Sequence, residues 1–166
     1  RSSVGEGLQV MVYTPDQADL FARICGYFDD SDFSIHDARI HTTRNGYALD
    51  TFQVTSSSLG DHQRELIAMI ESELSKALHH AGALRPPSRG RVSRRVKSFP
   101  VTPWVSLRPD EKGQRWILNV SASDRIGLLY CIALVLANHK VDLQLAKIAT
   151  LGERVEDTFQ IGRAHV

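Results

Sequence analysis

Residues 50–54 read Asp-Thr-Phe-Gln-Val, and residues 157–161 read Asp-Thr-Phe-Gln-Ile. This near-identity indicates the architecture of the protein, because it belongs to a longer internal repeat. A second pair of blocks lies upstream of it: residues 38–42 read Ala-Arg-Ile-His-Thr, and residues 146–150 read Ala-Lys-Ile-Ala-Thr. Both pairs alternate apolar and polar residues, which is typical of β-strands with one buried face.

A third pair of blocks, at residues 12–21 and 120–129, shares a pattern rather than an identity. In each, an alternating apolar run enters an Asp-containing turn and a helical pattern follows. The offset is 108 residues for this pair and 107 for the pentapeptides, so one residue is absorbed in a hairpin turn between them. Three blocks in register indicate a duplication.

Each copy is predicted to run strand, helix, strand, strand. In the first copy, Val10, Val12 and Thr14 alternate along a strand, and a helical spacing follows. Asn45-Gly46 is a strong two-residue hairpin signal between strands at residues 33–43 and 47–55. Asp61 is a candidate N-cap for a second helix, whose predicted apolar stripe consists of Ile67, Ile70, Leu74 and Leu78.

A last strand at residues 104–109 would complete the first copy as βαββαβ, the ferredoxin-like split βαβ unit. The second copy is predicted to repeat the pattern with elements at residues 116–122, 126–138, 142–150 and 154–161. Its second helix and fourth strand are missing. We therefore predict an α+β protein of two tandem ferredoxin-like domains, with antiparallel sheets and helices on one face.

The predicted domains are residues 1–84 with the strand at 104–109, a linker at 85–103, and an incomplete second domain at 116–166. The linker begins with a run at residues 85–97 that holds six positive charges, no negative ones, two prolines and a glycine. Such a run cannot bury a core and is predicted to be a flexible tether. The whole chain is ordinary for a globular protein, with 42% hydrophobic residues and a net charge of +1.

Composition also bears on location and on metals. The two cysteines, Cys25 and Cys131, fall in apolar helical patterns and predict reduced thiols in a cytoplasmic protein. No apolar run approaches the ~20 residues of a membrane span, and the absence of an initiator methionine suggests a fragment of a longer protein. His36-Asp37 and His79-His80 lack the spacing of metal sites, so neither a metal nor another cofactor is expected in this chain.

The turn at residues 124–129, Asp-Arg-Ile-Gly-Leu-Leu, is the most informative short motif. A strand ends there and a helix begins, so its free N–H groups and dipole suit the carboxylate of a small ligand. Gly127 would allow a ligand or a neighbouring backbone to approach closely. The alternative is that Asp124 only caps the helix and Gly127 only relieves the turn.

This turn, repeated in a duplicated βαββαβ frame, resembles the ACT family of amino-acid-sensing domains. Residues 116–130 and 146–159 are similar to the C-terminal tandem ACT region of bacterial bifunctional PII uridylyltransferase/uridylyl-removing enzymes, as is the spacer at 99–103. The resemblance implies a parent with a nucleotidyltransferase domain and an HD-type phosphohydrolase domain, both dependent on Mg²⁺ or another metal. It also implies that the tandem region senses glutamine and controls the modification of the PII protein in nitrogen regulation.

The resemblance further implies that the effector binds against the strand–helix turns where two copies meet, within one chain or between chains. The implied site residues are Asp124, Arg125, Ile126, Gly127 and Leu128, with Asp16, Gln17 and Ala18 from the facing turn of the first copy. Asp19 stands at the position of Gly127, so the two turns are not expected to bind a ligand equally. We expect one shared site made from two unequal halves, and no catalytic residues.

Asp50 and Asp157 share the phase of the buried residues on their strands. A buried carboxylate is costly, so each is expected at a strand end, in a partnered structural contact, or as an anchor for the amino group of an effector.

Two alternative functions stay open. The basic run at residues 85–97 could bind nucleic acid, since ferredoxin-like folds also bind RNA. However, the strand near residues 39–47 lacks the exposed aromatic pattern of an RNA-recognition motif. The pair could also be the ACT module of another amino-acid-regulated enzyme.

Overall fold

A computed structural model describes residues 7–17, 19–56, 63–80, 82–86, 101–124 and 127–162. Within them lies one antiparallel sheet of seven strands, accompanied by three helices. This confirms the predicted α+β class and is consistent with two ferredoxin-like units placed side by side.

The helices and strands follow the predicted order. In the first copy they are β1 (Leu8–Pro15), α1 (Leu20–Asp30), β2 (Ser34–Thr42), β3 (Tyr47–Thr55) and α2 (Gln63–His79). The remainder of the chain forms β4 (Trp104–Pro109), β5 (Trp116–Ser123), α3 (Leu128–Asn138), β6 (Leu143–Leu151) and β7 (Arg154–Ile161). Asp61, the predicted N-cap of α2, lies outside the described residues.

The sheet is continuous because an edge strand of each copy pairs with the other copy. The strand order is β1-β3-β2-β6-β7-β5-β4, so β2 and β6 join the two halves. Arg39 on β2 lies opposite Lys147 on β6, and these residues occupy equivalent positions in the two repeats. The pairing therefore relates the copies by an approximate two-fold axis between these two residues.

The strand predicted at residues 104–109 forms, but it does not pair with β1. It lies beside β5, at the opposite end of the sheet from β1, with Trp104 opposite Ser121 and Pro109 opposite Trp116. A short turn explains this choice: Asp110 N–H donates to the Arg115 carbonyl at 2.9 Å, and Gly113 adopts φ of +65°. Closing a short hairpin loses less chain entropy than pairing with a strand that is distant in the sequence.

The core is shared by both copies. The two phenylalanines of the repeated pentapeptide, Phe52 and Phe159, are fully buried. Phe21 of α1 packs against both, with ring centroids 6.3 Å from Phe52 and 6.5 Å from Phe159. Of the stripe predicted on α2, Ile70 and Leu74 are buried, but Ile67 faces solvent, so that part of the prediction was wrong.

The helices α1 and α3 meet on the same side of the sheet at a very close contact. The ring of Tyr130 lies over Gly26, and a Cβ added to Gly26 would lie 2.8 Å from Tyr130 Cε2. Tyr130 is buried, and its hydroxyl donates to the carbonyl of Arg85 at 2.6 Å, so the ring has little freedom to move. Gly26 is therefore required by packing rather than by backbone conformation.

Replacing Gly26 with alanine should destabilise the chain. Overpacking against the fixed ring costs about 1–3 kcal/mol, and the better helix propensity of alanine returns up to about 1 kcal/mol. We expect a net loss of about 1 kcal/mol in the free energy of unfolding, measured by urea denaturation. In a Tyr130→Leu background the same substitution should cost less. An equal cost in both backgrounds would contradict this contact.

Candidate functional site

The turn between β5 and α3 is built as the sequence predicted. Gly127 precedes the helix in the left-handed region, with φ of +82°, which explains why this position favours glycine. The backbone N–H of Asp124 donates to the carbonyl of Glu153 at 2.7 Å and ties the turn to the β6–β7 hairpin. No side chain caps the described start of α3, so Asp124 is not its N-cap. Arg125 and Ile126 lie outside the described residues.

A cavity opens at this turn, and residues of both copies line it. The second copy contributes Asp124, Gly127 and Leu128 from the turn and helix start, together with Asp157 from β7. The first copy contributes α1 and the start of β2; its lining residues are Cys25, Asp29, Phe33, Ser34, Ile35 and His36. We call this cavity the Asp124 recess. It exists only because β2 and β6 are paired.

His36 was considered in the sequence only as half of a metal-binding dyad, yet it faces the Asp124 recess. Its Nε2 shares a hydrogen bond of 2.6 Å with the hydroxyl of Thr55. Burial raises the pKa of Asp124, and the nearby His36 partly offsets that rise. Among the described residues, no group of three His, Cys, Asp or Glu side chains is placed to hold a metal ion.

Asp157 lies in the middle of β7 and is 3% exposed, so the strand-end position considered for it was wrong. Its Oδ1 has no hydrogen-bond partner, and its side chain lines the Asp124 recess. Burial raises the pKa of Asp157 to about 7; the backbone of Ala149 acts to lower it, and the negative charge of Asp124 acts to raise it. A buried acid facing a cavity is suited to receive a cationic group.

Asp50 is the equivalent residue of the first copy and is completely buried in the middle of β3. Burial raises the pKa of Asp50 to about 7; the backbone of His41 acts to lower it, and the negative charge of Asp16 acts to raise it. Neither carboxylate oxygen reaches a hydrogen-bond partner. Unlike Asp157, Asp50 is absent from the lining of the Asp124 recess.

The two strand–helix turns do not form one shared site, contrary to the expectation from the sequence. Asp16 lies in a separate recess at the other end of the β2–β6 junction, with His41, Asp142 and Gln144. Antiparallel pairing of β2 with β6 explains the separation, because it places each turn beside the other copy's strand. Gln17 continues this turn, its carbonyl accepting from Leu20 N–H, and Ala18 lies outside the described residues.

The recess at Asp16 differs from the Asp124 recess in charge and backbone. Asp19, at the position of Gly127, has φ of −114° and forms an ion pair of 2.7 Å with Arg23. Burial raises the pKa of Asp16, the backbone of Gln17 lowers it, and the negative charge of Asp142 raises it further. Gln144 stands at the repeat position of His36, and the lining also includes Arg115 and a second acid, Asp142.

The start of the basic segment is bound within the protein. Arg85 donates to the carbonyl of Gly26, lies 3.3 Å from a carboxylate oxygen of Asp30, and stacks 5.5 Å from the centre of the Tyr130 ring. Arg85 thereby joins α1 to α3 beside the Asp124 recess. Most of the basic run, from residue 87 onward, lies outside the described residues.

Comparison with known proteins gives strong matches over nearly the whole chain. The chain is 58% identical to a protein of Cupriavidus pinatubonensis over 163 residues, 56% identical to one of Ralstonia nicotianae and 52% identical to one of Burkholderia thailandensis. These relatives are bifunctional uridylyltransferase/uridylyl-removing enzymes. The matches cover 95–96% of this chain.

The chain spans only about 19% of the length of these relatives, so it corresponds to a small part of such an enzyme. No family model matches the sequence. None of the helices in the described part of the chain has the length and hydropathy of a membrane span.

The two buried acids should make stability depend on pH. Because the folded chain holds these protons more tightly than the unfolded chain, their contribution to stability falls as pH rises from about 4 to about 7. The double variant Asp50→Asn/Asp157→Asn should show a flatter dependence of the free energy of unfolding over this window, measured by urea denaturation. The variant Asp32→Asn, at an exposed position, serves as the control. An unchanged slope in the double variant would contradict the buried titration.

Proposed function

We propose that this chain is the amino-acid-sensing, regulatory part of a bifunctional uridylyltransferase/uridylyl-removing enzyme that acts on the PII protein in nitrogen regulation, and that glutamine is its effector. The names of the relatives support the parent enzyme. The observation that carries the sensing role is the Asp124 recess, which combines a helix start at Gly127 with the buried, partly unpartnered carboxylate of Asp157.

The two ends of the recess suit the two charges of a free amino acid. The first N–H groups of α3 have no partners within the helix, so they and the helix dipole favour the carboxylate of the ligand. The acids Asp157 and Asp124 favour its ammonium group, which would restore the ionised form that burial disfavours. Glutamine adds a side-chain amide that can both donate and accept hydrogen bonds.

The recess at Asp16 suits this ligand less well. Asp19 stands at the position of Gly127, and its side chain is paired with Arg23 at the start of α1, where the ligand carboxylate would have to lie. Asp50, the equivalent of Asp157, does not line this recess, so its lining offers no buried acid for the ammonium group. The Asp124 recess is therefore the proposed effector site, and Arg125 and Ile126 belong to its turn.

Regulation follows from the composition of the recess. Since both copies contribute lining residues, a ligand there favours the arrangement in which β2 and β6 are paired as described. A ligand shifts an equilibrium only by the difference between its affinities for the two arrangements. The catalytic domains of the parent, with their metal ions, would respond to that shift.

Isothermal titration calorimetry with glutamine tests this proposal, using the 166-residue chain and the intact polypeptide in parallel. We expect binding at millimolar or lower concentration. Asp157→Asn should weaken it about tenfold or more, since a charged hydrogen bond contributes about 1.5–3 kcal/mol.

Asp50→Asn is the matched control, because it removes the equivalent buried acid from the other copy; it should change the affinity less than about threefold. Equal losses in both variants, or no heat from either protein at millimolar glutamine, would contradict the proposed site. Binding of another amino acid in place of glutamine would indicate a different amino-acid-regulated enzyme.

A further inference from the structure

In the part of the chain that the structure describes, two surfaces are uncovered at opposite ends of the sheet. One is the outer edge of β1, which borders no other strand of the described sheet. The other is an apolar face on the helix side of β4 and β5, which we call the β4–β5 face. We propose that one helix–strand segment of the same polypeptide, outside these 166 residues, covers both: its helix packs on the β4–β5 face, and its strand pairs with β1.

The β4–β5 face lies on the same side of the sheet as the core. Val105 and Leu107 of β4 are opposite Val120 and Leu118 of β5, and Leu118 is in turn opposite the buried Phe159 on β7. Nevertheless Val105 is 61% exposed and Leu107 55% exposed. Trp116 of β5 and Val135 of α3 are exposed as well. A contiguous apolar surface of this kind marks a contact site.

The first copy indicates what covers such a face. There α2 supplies the buried Ile70 and Leu74, and Glu73 of α2 accepts a hydrogen bond from Tyr27 of α1 at 3.0 Å. By the repeat offset, Tyr27 corresponds to Val135, which is 56% exposed. Likewise Leu8, which is 7% exposed, corresponds to Trp116, which is 40% exposed. The occupant that fits the β4–β5 face is thus an amphipathic helix equivalent to α2.

The position of β4 indicates where the strand after that helix goes. The strand that follows α2 does not return to β1 of its own copy but pairs with β5, the equivalent of β1 in the other copy. The two-fold relation between the copies then places the strand that follows the second helix beside β1. Each copy would receive its fourth strand from the other, and the sheet would gain a further strand.

The sequence of β1 supports this pairing. An exposed edge strand is normally protected by charged residues or proline. The outer strand at the other end, β4, carries Arg108. In contrast β1 (Leu-Gln-Val-Met-Val-Tyr-Thr-Pro) has no charged residue. Met11 and Tyr13 are both largely exposed. The relatives are long enough to supply the segment, because the chain spans only about 19% of them.

Cysteine labelling tests the helix contact without any ligand. The thiol introduced by Leu107→Cys should react with iodoacetamide rapidly in the 166-residue chain and at least about tenfold more slowly in the intact polypeptide. Mass spectrometry of the labelled peptide follows the reaction. Arg108→Cys is the matched control, since the neighbouring residue is exposed on the opposite face of the same strand. It should react equally in both proteins.

Hydrogen exchange tests the strand pairing. The amides of residues 8–15 that point away from β3 should exchange rapidly in the 166-residue chain and be protected in the intact polypeptide. The amides of residues 104–109 that point away from β5 should exchange alike in both. Shielding of the thiol in the Leu107→Cys variant without protection of β1, or no change at either place, would overturn the proposal. Concentration-dependent shielding of the shorter chain would overturn it too, because a second copy would then be the occupant.

Discussion

The pairing of β2 with β6 is the constraint on which the rest of the structure depends. It merges two repeats into one sheet and creates the boundary where both recesses lie. Electrostatics does not explain the pairing, because Arg39 and Lys147 face one another across it. The apolar contacts of Phe21 with Phe52 and Phe159, and the close approach of Tyr130 to Gly26, hold the two halves together instead.

The two buried acids lower the stability of the folded chain, and one of them places a carboxylate at a cavity. Asp50 and Asp157 occupy the same place in the two copies, and burial raises the pKa of each to about 7. An apolar residue at either position would avoid that cost. Only Asp157 lines the Asp124 recess, so the repeated residue is available to a ligand in one copy and enclosed in the other.

The difference between the recesses comes from a few substitutions on an otherwise repeated frame. Gly127 begins α3 in the left-handed region, whereas Asp19 begins α1 with an ordinary backbone and an ion pair to Arg23. His36 faces Asp124, whereas Asp142 and Gln144 face Asp16. Duplication thus provides two potential sites, and a few substituted residues distinguish them.

The sequence by itself determined the repeat, the α+β class, the strand and helix order and the turn at Gly127. These features depend on local periodicity and on backbone preferences, which each segment carries within itself. The repeat also identified Asp50 and Asp157 as in phase with the core. An alignment of the two copies pairs His36 with Gln144, which is the sequence signal that points to both residues.

Which strands and side chains meet became clear only in the folded protein. The strand at residues 104–109 was predicted, but its partner was not, because any edge of suitable pattern could have accepted it and the short turn at Gly113 settled the choice. The separation of the two turns, and the presence of His36 and Asp157 in one recess, follow from the antiparallel junction of β2 with β6. That junction joins residues far apart in the chain, and local sequence patterns do not encode it.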